Sequence, residues 1–173
     1  MKQFTILFAL SFIQAESLLD VYNASGPANG YNKYVILESG NTYTGGIGIF
    51  EGSVYIEGNG ATVDLEQGTG IWIYSDGITD ASLDADKISI VNGSYYGLSY
   101  AGYSTGMISN CNFVGNNDGI ELMENCSVEV KNCNFISNAR FAVAQITSDP
   151  TLSLFYCNSW DNGDGDYMLN ALG

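Results

Sequence analysis

The sequence predicts an all-β solenoid, a coil of short parallel strands in which each turn stacks on the turn before it. Three observations predict this fold class. Two motifs recur along the chain at one interval, the segments between them alternate apolar and polar residues, and the composition suits strands joined by tight turns. The 173 residues include 21 Gly and only two Pro, and they are enough for one domain with a substantial core.

The first motif is Cys-Asn followed by a second Asn four residues later. Its copies read CNFVGN, CNFISN and CNSWDN and begin at Cys111, Cys133 and Cys157, which gives intervals of 22 and 24 residues. The second motif is Gly, then Ile or Leu, then any residue, then a large apolar one. It begins at residues 46, 70, 97 and 119, at intervals of 24, 27 and 22 residues. Two unrelated motifs with one period indicate a repeating coil.

Each repeat contains the alternation that is typical of a strand. In SVEVKNCNF (127–135), Val128 and Val130 point to one side, and the residue after each of them points to the other. Asn132 marks a break, because Asn tolerates the left-handed backbone conformation that a sharp bend requires. Another bend follows Asn138. We therefore expect three short strands in each coil and no helix between them.

Stacking explains why the residues of the first motif recur. Equivalent residues of neighbouring strands lie about 4.8 Å apart, so each side chain contacts its own kind in the next coil. Inward Cys and Phe would form apolar ladders, and Asn side chains at the bends would form amide ladders that satisfy backbone groups. The predicted structural ladders are one cysteine column and two asparagine columns: Cys111, Cys133 and Cys157; Asn112, Asn134 and Asn158; and Asn116, Asn138 and Asn162.

The sequence divides the chain into three parts. Residues 1–17 look like a signal peptide, because Lys2 precedes the apolar run FTILFALSFI and Ala15-Glu16-Ser17 fits a small-x-small cleavage site. Residues 18–33 are rich in turn residues and would cap the first coil, and residues 34–173 would form five to six coils of 22–27 residues. The predicted coil starts are Tyr34, Ser53, Ile78, Ser104, Cys126 and Thr151. Because no C-terminal cap is evident, we expect a truncated coil, with further C-terminal domains or end-to-end association.

The charge balance excludes several classes of partner. With 19 acidic residues, five basic ones and no His, the net charge is −14. Such a chain cannot neutralise nucleic-acid phosphates, and anionic membrane surfaces repel it. The N-terminal apolar run is too short to span a bilayer, and no later segment is apolar enough. We therefore predict a secreted or cell-surface protein that binds no nucleic acid and is not inserted in a membrane.

Three segments resemble the right-handed parallel β-helix repeat of the pectin-lyase-like superfamily. They are VYIEGNGATVDL (54–65), ISNCNFVGNNDGIEL (108–122) and VKNCNFISN (130–138), and the likeness extends over about residues 34–170. The resemblance implies a right-handed, single-stranded coil. It implies little about function, because members of the superfamily include polysaccharide lyases, glycoside hydrolases, phage tailspikes, adhesins and secreted proteins without known activity.

Asp118, Arg140 and Asp164 occupy equivalent positions of successive repeats, which predicts an exposed column with Arg140 between two carboxylates. One interpretation is a surface ion-pair column with a small effect on stability. The resemblance to polysaccharide lyases implies another, in which Arg140 is the base and Asp118, Glu121, Asp164 and Asp166 bind Ca²⁺ against a uronate. The negative field of the protein argues against it, because it would repel an acidic polysaccharide.

The acidic residues could form two further kinds of site, a carboxylate pair for hydrolysis and a calcium site. Asp118 and Asp164 could form the carboxylate pair of a glycoside hydrolase, but Arg140 between them would hold both ionised. The paired-Asp and Gly-His-Gly signatures of polygalacturonase-like hydrolases are also missing. The segment DNGDGD offers Asp161, Asp164 and Asp166 as ligands for Ca²⁺, with a solvated turn as the alternative. No other cofactor is expected.

Aromatic side chains on successive coils suggest a surface that binds carbohydrate. Trp72 should face outward by alternation with its apolar neighbours, and flat rings stack on sugar faces while Asn and Asp bond to hydroxyls. The alternative is that the tyrosines cover apolar surface and fill wide turns. The predicted glycan-binding residues are Trp72, Tyr74, Tyr95, Tyr96, Tyr100 and Tyr103.

The four cysteines are predicted to be free thiols in the main. In-register side chains of a column point in parallel, which suits disulfide geometry badly, and Cys126 stands at a turn without a repeat partner. The absence of His excludes a Cys–His nucleophilic pair. The sequence therefore favours a non-catalytic β-helix module that binds a carbohydrate polymer or has a structural, adhesive role. The alternative is a polysaccharide lyase-like or glycoside hydrolase-like enzyme that acts on an acidic polysaccharide with Ca²⁺.

Overall fold

The fold is a parallel β-solenoid of about six coils, described by a computed structural model for residues 15–169. Three columns of strands form its faces. Face 1 contains β2 (Lys33–Ile36), the first halves of β5 (Gly52–Asp64) and β7 (Ala81–Val91), β9 (Thr105–Ser109), β12 (Ser127–Lys131) and β15 (Thr151–Phe155). Face 2 contains β1 (Glu16–Ser17), β3 (Thr42–Thr44), the second halves of β5 and β7, β10 (Asn112–Val114), β13 (Asn134–Ile136) and β16 (Asn158–Trp160).

Face 3 is a separate six-stranded sheet. It contains β4 (Gly48–Ile49), β6 (Ile71–Ser75), β8 (Tyr96–Gly102), β11 (Asp118–Leu122), β14 (Phe141–Gln145) and β17 (Gly165–Leu169). Faces 1 and 2 form one eleven-stranded sheet, because β5 and β7 each continue through the bend between them. All neighbouring strands pair in parallel, which confirms the predicted all-β solenoid with three strands in most coils.

The bends between faces 1 and 2 use the left-handed conformation that the sequence pattern predicts. Asn132 has a φ of 52°, and Asn110, one coil earlier, has a φ of 55°. Lys87 and Tyr156 take the same position in the flanking coils with φ of 54° and 55°. Among residues with a side chain, Asn adopts this conformation most readily, and the amide of Asn132 also donates to Oδ1 of Asn110 at 3.2 Å.

The interior is filled by columns of apolar side chains. Phe113 and Phe135 are fully buried and stack with ring centroids 5.0 Å apart and planes 10° apart. Cys111 and Cys133 precede them in one buried column, and Cys157 continues that column with partial exposure. All four cysteines are free, including Cys126, which is buried at the start of β12.

The recurring Gly of the second motif has a structural cause. A Cβ atom on Gly46 would lie 2.1 Å from the carbonyl oxygen of Gly70, and one on Gly70 would lie 2.3 Å from that of Tyr96. At Gly97 the distance to the carbonyl oxygen of Gly119 would be 2.7 Å. At Gly46, Gly70 and Gly97 each coil therefore approaches the next so closely that only glycine fits, whereas Ala142 takes the equivalent position in the coil after Gly119.

A short helix covers the start of the coil. Ser17 caps the N-terminus of helix α1 (Leu18–Ala24), because its Oγ accepts from the N–H of Asp20. The side chain of Leu18 is fully buried. The ammonium of Lys33 donates to the carbonyls of Tyr22 and Ser25, at 3.0 and 3.2 Å, and so satisfies the C-terminal end of the helix. The sequence had indicated only turns here. Most of the predicted signal peptide, residues 1–14, lies outside the described residues, whereas Glu16–Ser17 pairs with β3.

Candidate functional site

An exposed groove on face 3 is lined largely by aromatic and apolar side chains. It has a volume of about 670 Å³ and crosses four coils, with Phe50, Trp72, Tyr96 and Met123 along its walls. We call these four residues, with the glycines beneath them, the aromatic groove. The ring of Trp72 is 5.2 Å from that of Phe50, edge to face, and 5.9 Å from that of Tyr74. Although rings of this size are usually buried, Phe50 is 51% exposed and Trp72 is 39% exposed.

The register of face 3 positions these side chains. Trp72 pairs with Gly48 in the coil before and with Ser99 in the coil after, and Ser99 pairs with Glu121. A Cβ atom on Gly48 would lie 2.6 Å from the ring of Phe50, so the glycine gives that ring space to lie against the sheet. These pairs form one column across the outer side of face 3, and it runs from Trp72 in the aromatic groove to the acidic side chain of Glu121.

Four charged residues form a second part of the same face, which we call the carboxylate cluster: Asp118, Glu121, Arg140 and Asp164. Nη1 of Arg140 lies 3.3 Å from Oδ2 of Asp118, and Nε of Arg140 lies 3.8 Å from Oδ2 of Asp164. Arg140 thus stands between two carboxylates, as the repeat predicts. Asp118 is fully buried, however, so the prediction of a wholly exposed column is wrong.

A one-residue shift in register explains the burial of Asp118. Asn112 pairs with Asn134, 22 residues later, but Ile120 pairs with Val143, 23 residues later. The extra residue lets the N–H of Phe141 donate to Oδ1 of Asp118 at 3.1 Å. This hydrogen bond holds the carboxylate of Asp118 against the following coil, where it is buried.

Burial raises the pKa of both carboxyl groups that lie deepest in the cluster. For Asp118, burial outweighs the hydrogen bond from Phe141 and the charge of Arg140, so its pKa is raised. Burial and then the charge of Asp118 raise the pKa of Glu121. Desolvation therefore opposes the effect of Arg140, which the sequence predicts to hold the carboxylates ionised.

Tyr96 joins the two parts of the face. It lines the aromatic groove, pairs with Asp118 in the register, and is only 8% exposed. Burial and then the charge of Glu121 raise the pKa of its hydroxyl. Aromatic surface and acidic groups are therefore continuous across face 3.

The structure gathers only some of the predicted glycan-binding residues. Trp72, Tyr74 and Tyr96 lie together, but Tyr95 and Tyr103 are exposed at bends, and Tyr103 lines a different cavity, near Asp80. The prediction for Tyr100 is wrong. Its side chain is fully buried, and its hydroxyl donates to the carbonyl of Leu83 at 2.7 Å, because the apolar interior holds every large residue at that position of the motif.

The predicted calcium ligands do not converge. Asp161 accepts from Ser137, Asp166 accepts from Ser159, and Asp164 faces Arg140. Within residues 15–169, no group of three or more acidic, Cys or His side chains is placed to hold a metal ion. The structure therefore lends no support to the calcium site at Asp161, Asp164 and Asp166 or to the lyase-like set of Asp118, Glu121, Asp164 and Asp166, and both stay predictions.

Both asparagine columns consist of direct amide-to-amide hydrogen bonds. In the half-exposed column, Nδ2 of Asn134 donates to Oδ1 of Asn112 at 2.8 Å, and Nδ2 of Asn158 donates to Oδ1 of Asn134 at 3.1 Å. In the buried column, Asn116, Asn138 and Asn162 are bonded in the same way. These residues have a structural role and take no part in the candidate site.

Sequence reasoning missed two groups of aromatic residues. Phe50 follows a two-residue strand, too short for its direction to be read from alternation. Tyr31, Tyr34 and Tyr55 form a cluster on face 1, with the rings of Tyr34 and Tyr55 stacked at 5.0 Å. The hydroxyl of Tyr31 donates to Asp84 at 2.7 Å, and that of Tyr34 donates to Glu57 at 2.9 Å. The strand pairing of Tyr34 with Tyr55 was the signal that could have found it.

The fold defines the class of protein as a β-solenoid with an exposed aromatic groove on one face. A family model described as a right handed beta helix region matches residues 31–171. The chain therefore belongs to the right-handed β-helix family, which confirms the predicted hand and fold class. No curated protein and no solved structure matches it. Among residues 15–169, no helix is long and apolar enough to cross a membrane.

Proposed function

We propose that this chain is an exported, non-catalytic β-helix module that binds a carbohydrate polymer along face 3. The observation that carries the proposal is the aromatic groove, in which Phe50 and Trp72 leave large parts of their rings exposed to solvent. Exposed rings on a rigid sheet suit stacking on sugar rings, and they cost little conformational entropy on binding. The apolar run at residues 4–13 supports export.

The shape of the groove supports a polymer as the ligand. The groove is open and crosses four coils, from Gly46 to Met123, so a chain can lie across the strands. A polar group suited to sugar hydroxyls follows it, namely the partly exposed Glu121, two strands from Trp72 in the same column. A concave apolar surface with a few convergent polar groups is the general form of a ligand site.

The test is retention of the protein by immobilised neutral, acidic and basic polysaccharides. We expect retention by at least one polymer, and a loss of about tenfold or more in affinity when Trp72→Ala removes the central ring. Trp160→Ala is the matched control, because Trp160 is 73% exposed on face 2, away from the groove. Equal retention of the wild type and Trp72→Ala on every polymer would contradict the proposal and leave the structural or adhesive role.

A second candidate function is a glycoside hydrolase-like activity. It is favoured by the position of two carboxyl groups, Asp118 and Glu121, on one strand where burial raises the pKa of both, because acid–base hydrolysis uses a pair of carboxyl groups in unlike surroundings. A lyase with Arg140 as base is less well supported, because two carboxylates engage its guanidinium. Release of reducing ends that disappears in Glu121→Gln would establish the hydrolase. Unsaturated products that require Arg140 and Ca²⁺ would establish the lyase.

A further inference from the structure

We infer that the polymer bound at face 3 carries free amino groups, so that the ligand class is a polycationic glycan built from 2-amino sugars. This inference rests on the proposed function and specifies its ligand. The stacking residues are those of the aromatic groove, and the ammonium group would lie against Glu121, the partly exposed carboxylate that β11 contributes to the carboxylate cluster.

The charge balance of the cluster supports a cationic ligand. Asp118, Glu121 and Asp164 place three carboxyl groups around the single guanidinium of Arg140, which contacts two of them. Glu121 receives only a weak hydrogen bond, from Oγ of Ser99 at 3.5 Å. The whole chain carries −14, so its field attracts a polycation and repels a polyuronate.

An unsatisfied oxygen inside the cluster is the second, independent observation. Oδ1 of Asp118 accepts from the N–H of Phe141, but Oδ2 accepts no hydrogen bond, although the side chain is fully buried. Nη1 of Arg140 is 3.3 Å away without a hydrogen bond directed at that oxygen. A buried acceptor without a donor is costly, and because Oδ2 has no access to solvent, a cation held beside Glu121 would stabilise Asp118 through its charge and not by direct contact.

The spacing along face 3 fits one ligand that reaches both parts. Trp72, Ser99 and Glu121 are successive positions of one outward column, so Trp72 and Glu121 are two strands apart, or about 10 Å. A polymer that runs across the strands would stack one ring on Trp72 and bring the amino group of a following ring to Glu121. A neutral sugar hydroxyl would leave Glu121 without a cationic partner.

The test compares two hexasaccharides that differ only at nitrogen: a β-linked glucosamine hexamer and its fully N-acetylated form. Binding to the full chain is measured by calorimetry in slightly acidic buffer, where the sugar amines are protonated. We expect the free amine form to bind about tenfold more tightly or better, because the hydrogen bonds are charge-assisted. We expect Glu121→Gln to remove most of this preference.

Glu129→Gln is the control, because it makes the same change of charge on β12 of face 1. Added salt is the second measurement, independent of any variant, and should weaken binding of the amine form only. Equal affinity for the two hexamers, or a preference that survives Glu121→Gln, would overturn the inference and leave carbohydrate binding in place. Absence of Trp72-dependent binding to every polymer would overturn both.

Discussion

Nδ2 of Asn138 lies 2.8 Å from Oδ1 of Asn162, the equivalent residue one coil further along the chain. The same Nδ2 also donates to the carbonyl of Phe113 at 3.2 Å, while Oδ1 of Asn138 accepts from the backbone N–H of Asn116 at 3.1 Å. One side chain thus satisfies groups in the coils on both sides of its own. Because Asn138 is 1% exposed, water cannot replace these bonds if they are lost.

Removal of this side chain should destabilise the coil strongly. Asn138→Ala leaves the N–H of Asn116 and the carbonyl of Phe113 without their partner, so we expect the free energy of unfolding to fall by about 2–4 kcal/mol. Asn134→Ala is the control, since Asn134 is half-exposed and water can satisfy its neighbours. There we expect a loss of about 1 kcal/mol or less. Urea unfolding measures both, and equal losses would contradict the role given to burial.

Substitution of a motif glycine should also destabilise the fold. In Gly97→Ala the new Cβ would lie 2.7 Å from the carbonyl oxygen of Gly119, in backbone that cannot move away without breaking the coil. We expect a loss of about 1–3 kcal/mol. Gly26→Ala is the matched control, because a Cβ there meets nothing within 4 Å. If the two variants unfold at the same urea concentration, close approach of the coils does not explain the glycine motif.

The thiols should differ in reactivity with an aromatic disulfide reagent. Cys111, Cys126 and Cys133 are buried, and burial raises the pKa of Cys126 to about 11. Because a reagent cannot reach a buried sulfur, these three should react only after unfolding, whereas Cys157 is partly exposed and should react first, although burial raises its pKa too. Cys157→Ser should remove the fast phase. Fewer than four reactive thiols in unfolded, unreduced protein would show a disulfide and contradict the free cysteines.

Acidification from neutral pH should strengthen the contribution of Glu121 to stability. Its pKa is raised in the folded state, so the folded chain holds this proton more tightly than the unfolded chain does. The contribution is complete below the ordinary Glu pKa of about 4.3 and is lost as pH rises through the folded value. Asp76 acts in the opposite direction, because hydrogen bonds from Thr79 and Ile78 lower its pKa.

The measurement therefore compares the free energy of unfolding of the wild type with that of Glu121→Gln, from neutral to acidic pH. The free energy of unfolding of the wild type, minus that of Glu121→Gln, should rise as pH falls from neutral. Glu129→Gln, with the same loss of charge on face 1, controls for relief of the overall negative charge. A difference that stays flat, or that matches the control, would show that Glu121 is not desolvated as described.

Much of the fold could be predicted because a solenoid repeats a local pattern. The interval between copies of the first motif places Asn112 beside Asn134, and alternation sends Val128 and Val130 inward, where both are buried. The left-handed bend at Asn132 follows from the residue type itself. Helix α1 could not be predicted in the same way, because it occurs once and its seven residues contain turn-forming Asn and Asp.

The candidate site was harder to predict, because it depends on neighbours in different coils. Phe50 and Trp72 meet although they lie 22 residues apart, in segments of unlike sequence. Tyr100 resembles the other tyrosines of its coil in sequence, yet the strand turns it into the interior. The burial of Asp118 follows from one extra residue before β14, which no motif reveals.

The sequence by itself determined the architecture of this protein: an all-β coil of about six turns, with stacked Asn and Phe side chains and a strongly acidic surface. The period of the repeat, the alternation of apolar and polar residues and the residue types at the bends can all be read from the sequence, and they specify most of a repeating fold. Only the tertiary structure decided which side chains form the aromatic groove and the carboxylate cluster. That choice depends on the register between coils of unequal length, and a shift of one residue changes which side chains are buried and which meet.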